Sequence, residues 1–111
     1  MAAPTRGSVV LIPFPFSDLS QSKLRPSVVL APSGKGDWIL CQVTSKRYTD
    51  QKAIELSNSD FQTGSLRITS FARPGKLFTA NESLIISEVG KLKGDIIKSI
   101  VTSVISILKK I

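Results

Sequence analysis

The chain has 111 residues, 41% hydrophobic and 21% charged, enough apolar material for one domain over residues 1–111 to close a core without disulfide or metal staples. Histidine is absent and Cys41 is the only cysteine, which excludes a disulfide framework, a structural zinc site, Ser-His-Asp or zinc hydrolysis and His-pair ribonuclease chemistry. Fifteen Lys and Arg against eight Asp and Glu give a net charge of +7, which points to a polyanionic partner: nucleic acid, an anionic membrane surface or an acidic protein.

In chain order, residues 1–7 carry no targeting pattern, and with a lone thiol a reducing, cytoplasmic location is expected. Residues 8–12 are β-branched and bounded by Gly7 and Pro13, which predicts a strand. Residues 13–24 carry two prolines and then a polar run, so a loop is expected there, with Phe14 and Phe16 as anchors. Residues 26–32 predict a second strand, and 33–37 a hairpin turn that tolerates positive φ. The most apolar strand is predicted at 38–44, near the centre of a sheet. Alternation predicts further strands at 53–57 and 66–72, with a turn region at 58–64 between them. Leu66, Ile68 and Ser70 should share one face of the later strand, and Pro74-Gly75 should end it.

Another strand is expected at 83–89. After Gly94, Asp95 can cap a helix whose apolar positions 96, 97, 100, 101, 104, 105, 108 and 111 follow helical spacing, with Lys109 and Lys110 complementing its C-terminal dipole. Its polar interruptions leave it short of the ~20 apolar residues that cross a bilayer, so it is expected to cover a sheet rather than to meet a membrane. These elements predict a mainly β (α+β) protein: a small, strongly bent antiparallel sheet or barrel with one C-terminal amphipathic helix.

Three groups of residues can carry chemistry. Arg25 precedes Pro26, which restricts it to extended geometry at the start of a strand and mounts a planar five-donor fork suited to phosphate; the alternative is a solvated surface arginine. Thr44 and Ser45 close the most buried strand just before Lys46 and Arg47, where two hydroxyls and two cations can hold a phosphate or a ribose; a Thr-Ser pair also commonly just ends a strand by bonding to backbone. Arg67, Ser70, Arg73 and Lys76 can form one wall of a groove for an anionic ligand, or only a solvated face.

The motifs in order resemble the MazF/PemK toxins of type II toxin–antitoxin modules: 7–20 with its Pro-Phe-Pro-Phe, Lys23-Leu-Arg-Pro followed by Ser-Val-Val-Leu, 40–45, Gly64-Ser-Leu, 70–79 and 82–92. The resemblance implies an SH3-like, CcdB/MazF/PemK-like barrel. It also implies a homodimer that cleaves single-stranded RNA such as mRNA, often at short sequence motifs and with neither metal nor other cofactor, and so inhibits translation and growth. It makes Arg25 and Thr44 the catalytic pair, puts Ser45 in the same pocket, and relates 70–73 to a region that contacts RNA or supplies an acidic group in some members. Lys23, Lys46, Arg47, Arg67, Ser70 and Arg73 are the expected RNA-binding or supporting residues, with Ser20 and Gln21. Many members carry Glu-Gln before the Arg-Pro pair; here Ser20 stands in the carboxylate position, with Gln21 retained and Asp18 nearby. Thr69-Ser70 replaces an aspartate used by other members.

The expected partner is a cognate acidic antitoxin, with DNA engaged only through it. Two alternatives share the fold: a CcdB-like gyrase inhibitor without nuclease chemistry, and a nucleic-acid-binding module without catalysis.

Overall fold

The computed structural model describes residues 3–15, 22–47 and 50–110. Seven strands, β1 (Ser8–Pro15), β2 (Ser22–Gly34), β3 (Asp37–Thr44), β4 (Ile54–Leu56), β5 (Phe61–Gly64), β6 (Ser70–Asn81) and β7 (Ser87–Leu92), precede one helix, α1 (Gly94–Lys109). All pairings are antiparallel, in the order β4-β6-β3-β2-β1-β7-β5. Irregularities in four of the six ladders bend the sheet.

The sheet rolls into a nearly closed barrel because both of its edges face the same core. One cluster joins Leu56 of β4 and Phe61 of β5, from opposite ends of the strand order, with Val9, Val28, Cys41, Val43, Ala72 and Leu92 from the strands between them. Ile100 of α1 enters that cluster fully buried, with Ile96, Ile97, Val101 and Val104 packed around it, so the apolar stripe covers the barrel as its spacing requires. Ile105 and Leu108 lie on the exposed side. On the other face of β1 to β3, Val10, Val29 and Leu40 form a second cluster, closed by Ile85, Trp38, Phe78 and Ala80. Phe14 meets Phe78 edge-on at 4.9 Å, an anchoring contact for the arm of β1.

The centres of β2 and β3, the hairpin between them and the helix lie where the sequence expects them. Several boundaries differ. Strand β1 continues through Pro13 and Phe14 to Pro15, pairing with 22–24 of β2, where a loop was expected. Past Leu11 it has no β7 partner, so a missing proline N–H can face the open side. Strand β6 begins at Ser70 and runs through Pro74-Gly75 instead of ending there. Cys41 pairs with Leu77 and Val43 with Ala72, so residues 73–76 bulge opposite Gln42 and the buried Pro74 needs no ladder bond. Residues 61–64 form an edge strand rather than a turn. Gly64, at φ +68, lies opposite Gly90, and a Cβ there would collide with the Val89 carbonyl.

The strand expected at 83–89 is a 3-10 turn, Glu82–Leu84, followed by β7 at Ser87–Leu92. Lys93, not Asp95, occupies the helix cap. Its carbonyl accepts the Ile96 and Ile97 N–H groups, while Asp95 sits in the first turn, where a carboxylate favours the helix dipole.

Candidate functional site

Where β2 starts and β3 ends, a pocket of about 500 Å³ opens beside the segment that leads into β6. Its walls are Leu11, Lys23, Leu24, Arg25, Pro26, Val43, Thr44, Ser45, Lys46, Leu66, Ile68 and Ser70. Arg25 and Thr44, on different strands, therefore meet at one cavity. The β2–β3 ladder ends with Ser27 opposite Gln42, and Arg25 and Thr44 each lie two residues beyond that last pair, on neighbouring strand ends. Pro26 holds the Arg25 backbone extended, and Ile12 of β1 pairs with Arg25 on the other side.

Thr44 is buried, with 6% of its surface exposed, and pairs with Phe71 of β6. Its Oγ1 accepts the Lys46 N–H at 3.3 Å, which ties the first turn of the following segment to the strand end and leaves the hydroxyl proton to donate. Ser70 is also buried; its hydroxyl donates to the Ile68 carbonyl at 3.1 Å and fixes the far wall. Among the described residues three cations, Lys23, Arg25 and Lys46, line the pocket and no carboxylate does. Such a cavity attracts an anion, and its size suits a nucleotide-scale ligand.

Of the residues singled out in the sequence, Lys23, Arg25, Thr44, Ser45, Lys46 and Ser70 come together at this pocket. Ser20 and Gln21 lie outside the described residues. Arg47 is exposed just beyond Lys46 and does not line the cavity. Arg67 is exposed with left-handed backbone, φ 69, and its N–H donates to Ser65 Oγ at 3.1 Å. Its neighbours Leu66 and Ile68 line the pocket; Arg67 does not. Arg73 is turned elsewhere: its Nε donates to Asp50 Oδ2 at 2.9 Å. That pair holds the Asp50 carboxyl below the ordinary carboxylate range, helped by the Lys52 N–H and the charge of Arg47.

The apolar part of the lining was not anticipated. Leu24 and Ile68 are 46% and 57% exposed at the pocket. Their one sequence signal is an aliphatic residue set between polar neighbours, Lys23 and Arg25 for one, Arg67 and Thr69 for the other. With Leu11, Pro26 and Leu66 they give the basic cavity a greasy wall on which a planar base can rest. A second groove, of about 300 Å³, lies between α1 and strands β2, β3 and β6. It is almost wholly aliphatic, and its one cation, Arg6, donates to the Leu30 carbonyl at 2.8 Å, so anion chemistry belongs to the first pocket.

A nearly closed antiparallel barrel with a basic, hydroxyl-bearing pocket at its strand ends defines a small β-barrel protein of the SH3-like kind. More specifically, the chain belongs to the PemK-like, MazF-like toxins of type II toxin–antitoxin systems, whose family model matches residues 5–108. The fold is similar to that of MazF in a MazE-MazF crystal structure from Deinococcus radiodurans, with a TM-score of 0.77 at 18% identity over 100% of both chains. It is also similar to an endoribonuclease from Mycobacterial species, with a TM-score of 0.70 at 20% identity over 97% of this chain and 93% of that one. An endoribonuclease in complex with its cognate antitoxin, also from Mycobacterial species, gives 0.69 at 18% identity over 97% and 95%. At these identities the likeness concerns the fold. No curated protein matches the chain in sequence. No described helix is long and apolar enough to cross a membrane.

Proposed function

We propose that this toxin is a sequence-selective endoribonuclease that cleaves single-stranded RNA, mRNA included, without a metal or other cofactor, and thereby stops translation and growth. The observation that carries the reading is the meeting of Arg25 and Thr44 at one basic pocket. Cleavage of this type needs little covalent chemistry from the protein. The 2′-oxygen attacks the adjacent phosphorus as its hydroxyl proton passes to water, the bond from phosphorus to the 5′-oxygen breaks, and that oxygen takes up a proton from water, so the two transfers cancel. The products are a 2′,3′-cyclic phosphate and a 5′-OH. What the site supplies is in-line placement and donors aimed at the charge that grows on the phosphorane.

Arg25 serves as the main electrostatic donor, since a guanidinium is a fixed charge with a planar fork and a poor proton source. Thr44 orients the diester through its hydroxyl, itself held by the Lys46 N–H. Lys23 and Lys46 take flanking phosphates, with Ser45 on the rim and Ser70 in the far wall. The aliphatic wall gives a base a place to sit beside the reacting diester. A homodimer and an acidic cognate antitoxin are the expected partners, with DNA reached only through the antitoxin; the net charge of +7 suits an acidic peptide as it suits RNA.

The deciding experiment incubates the purified protein with a long single-stranded RNA in EDTA and analyses fragment ends. Cut RNA with 2′,3′-cyclic phosphate termini is expected, together with a loss of about 10²-fold or more in rate for Arg25→Ala. Intact RNA at high protein concentration, or an Arg25→Ala variant as fast as the wild type, overturns the assignment.

A further inference from the structure

We infer that Asp50 and Arg73 are positioning residues: their ion pair clasps the segment between β3 and β4 to β6 and thereby sets where Ser45 and Lys46 stand in the pocket. The substrate side of this inference rests on the nuclease reading; the clasp itself does not.

The topology creates the need. Strands β3 and β4 lie on opposite sides of β6, so segment 45–53 must cross from one flank of β6 to the other. Between Thr44 and Ala53 every described residue is polar, namely Ser45, Lys46, Arg47, Asp50, Gln51 and Lys52. None of them can anchor the crossing in the core by hydrophobic contact. Among the described residues the bonds that hold it are polar, and they converge on Asp50. Its Oδ2 accepts from Arg73 Nε at 2.9 Å and its Oδ1 from the Lys52 N–H at 2.9 Å. Its own N–H donates to the Arg47 carbonyl and its carbonyl accepts from the Ala53 N–H, both at 3.3 Å.

The other half of the clasp is mounted on the frame. Arg73 opens the bulge of β6 opposite Gln42, directly before the fully buried Pro74. Its carbonyl lies 3.1 Å from Cys41 Sγ, which donates to it from inside β3. The guanidinium and carboxylate side chains are 21% and 15% exposed, sheltered enough that water screens the pair less than an open surface bridge. Lys46 and Arg47 sit on the tethered segment, whereas Arg25 belongs to the β1–β2 ladder, which the clasp does not touch. Loosening the clasp therefore weakens substrate binding.

Two variants of opposite charge separate a clasp from a mere change in charge. Asp50→Ala raises the net charge and Arg73→Gln lowers it. If charge alone acted, the first would tighten RNA binding and the second weaken it. A clasp makes both raise KM, by about five- to tenfold, on the scale of one disturbed phosphate contact. Amide hydrogen exchange without RNA should show faster exchange confined to 45–52 in both variants. Arg73→Lys, which keeps a cation within reach of Asp50, should recover most of the wild-type KM and protection.

Circular dichroism and thermal unfolding check that each variant is folded, and Asp50→Asn replaces Asp50→Ala if the latter is not. Opposite shifts in KM, or unchanged KM and exchange in both variants, overturn the clasp. A wild type that cuts no RNA overturns the nuclease reading instead, and the exchange measurement then decides the clasp alone.

Discussion

The cations of the pocket set how RNA binding responds to salt. Lys23, Arg25 and Lys46 line it; if each replaces one condensed counterion on a single strand, log K against log salt has a slope of about −2. Between ~50 and ~200 mM salt that slope weakens binding by roughly 20-fold. Lys46→Ala removes one contact, which brings the slope to about −1.4 and the loss over the same range to roughly 7-fold. The measurement is fluorescence anisotropy of a labelled RNA oligonucleotide in EDTA, with 2′-deoxy sugars at the cleavable positions so that binding is read without cutting. Arg47 and Arg67 are exposed nearby but outside the cavity, so their alanine variants should leave the slope nearly unchanged. The assignment of three phosphate contacts fails if Lys46→Ala keeps the wild-type slope. It fails equally if the wild-type slope is steeper than about −4, which would mean that the strand runs mainly over cations beyond the pocket.

Three further outcomes follow from the fold. Ile100→Ala empties a fully buried site shared with residues of all seven strands, so calorimetry should show a loss of about 2–5 kcal/mol and a midpoint at least ~10 °C lower; a shift under ~5 °C would mean the helix covers little of the core. Burial pushes the Cys41 thiol up to about 12, so iodoacetamide near pH 8 should label it only after denaturation. Because its folded pKa is raised, the associated stability is fully present below the unfolded value of 9.0 and is lost as pH climbs through about 12; rapid labelling of the native protein would contradict that burial. Arg73 holds the Asp50 carboxyl below its unfolded value of 3.8, so that contribution is present above this value and is lost as pH falls through the lower, folded one. Asp50→Asn should therefore flatten the acid limb of stability below about pH 4, and an unchanged limb would show that the pair does not differ between folded and unfolded chains.

Much of this architecture is local and could be read along the chain. β-Branched runs and helical spacing place the centres of β2, β3 and α1, and Pro26 shows that Arg25 is extended before any neighbour is known. The ordered motifs single out the polar residues that line the pocket, together with Arg47, Arg67 and Arg73, which do not. Proline and glycine misled where a neighbour decided their meaning. Pro13 and Pro15 stay in a strand because β1 has an open side there, and Pro74 stays in β6 because the ladder bulges around it. The edge strand at Phe61–Gly64 exists only because β7 brings Gly90 close enough to pair with Gly64.

The composition alone determined a basic, histidine-free protein and the chemistry it cannot perform, since those properties follow from which side chains exist. Only the tertiary structure decided that Arg25 and Thr44 share a cavity, that Leu24 and Ile68 wall it, and that Arg73 faces Asp50 across 23 positions of sequence. Pairings of that kind depend on how a rolled sheet brings distant strand ends together, and no local pattern of residues encodes that distance.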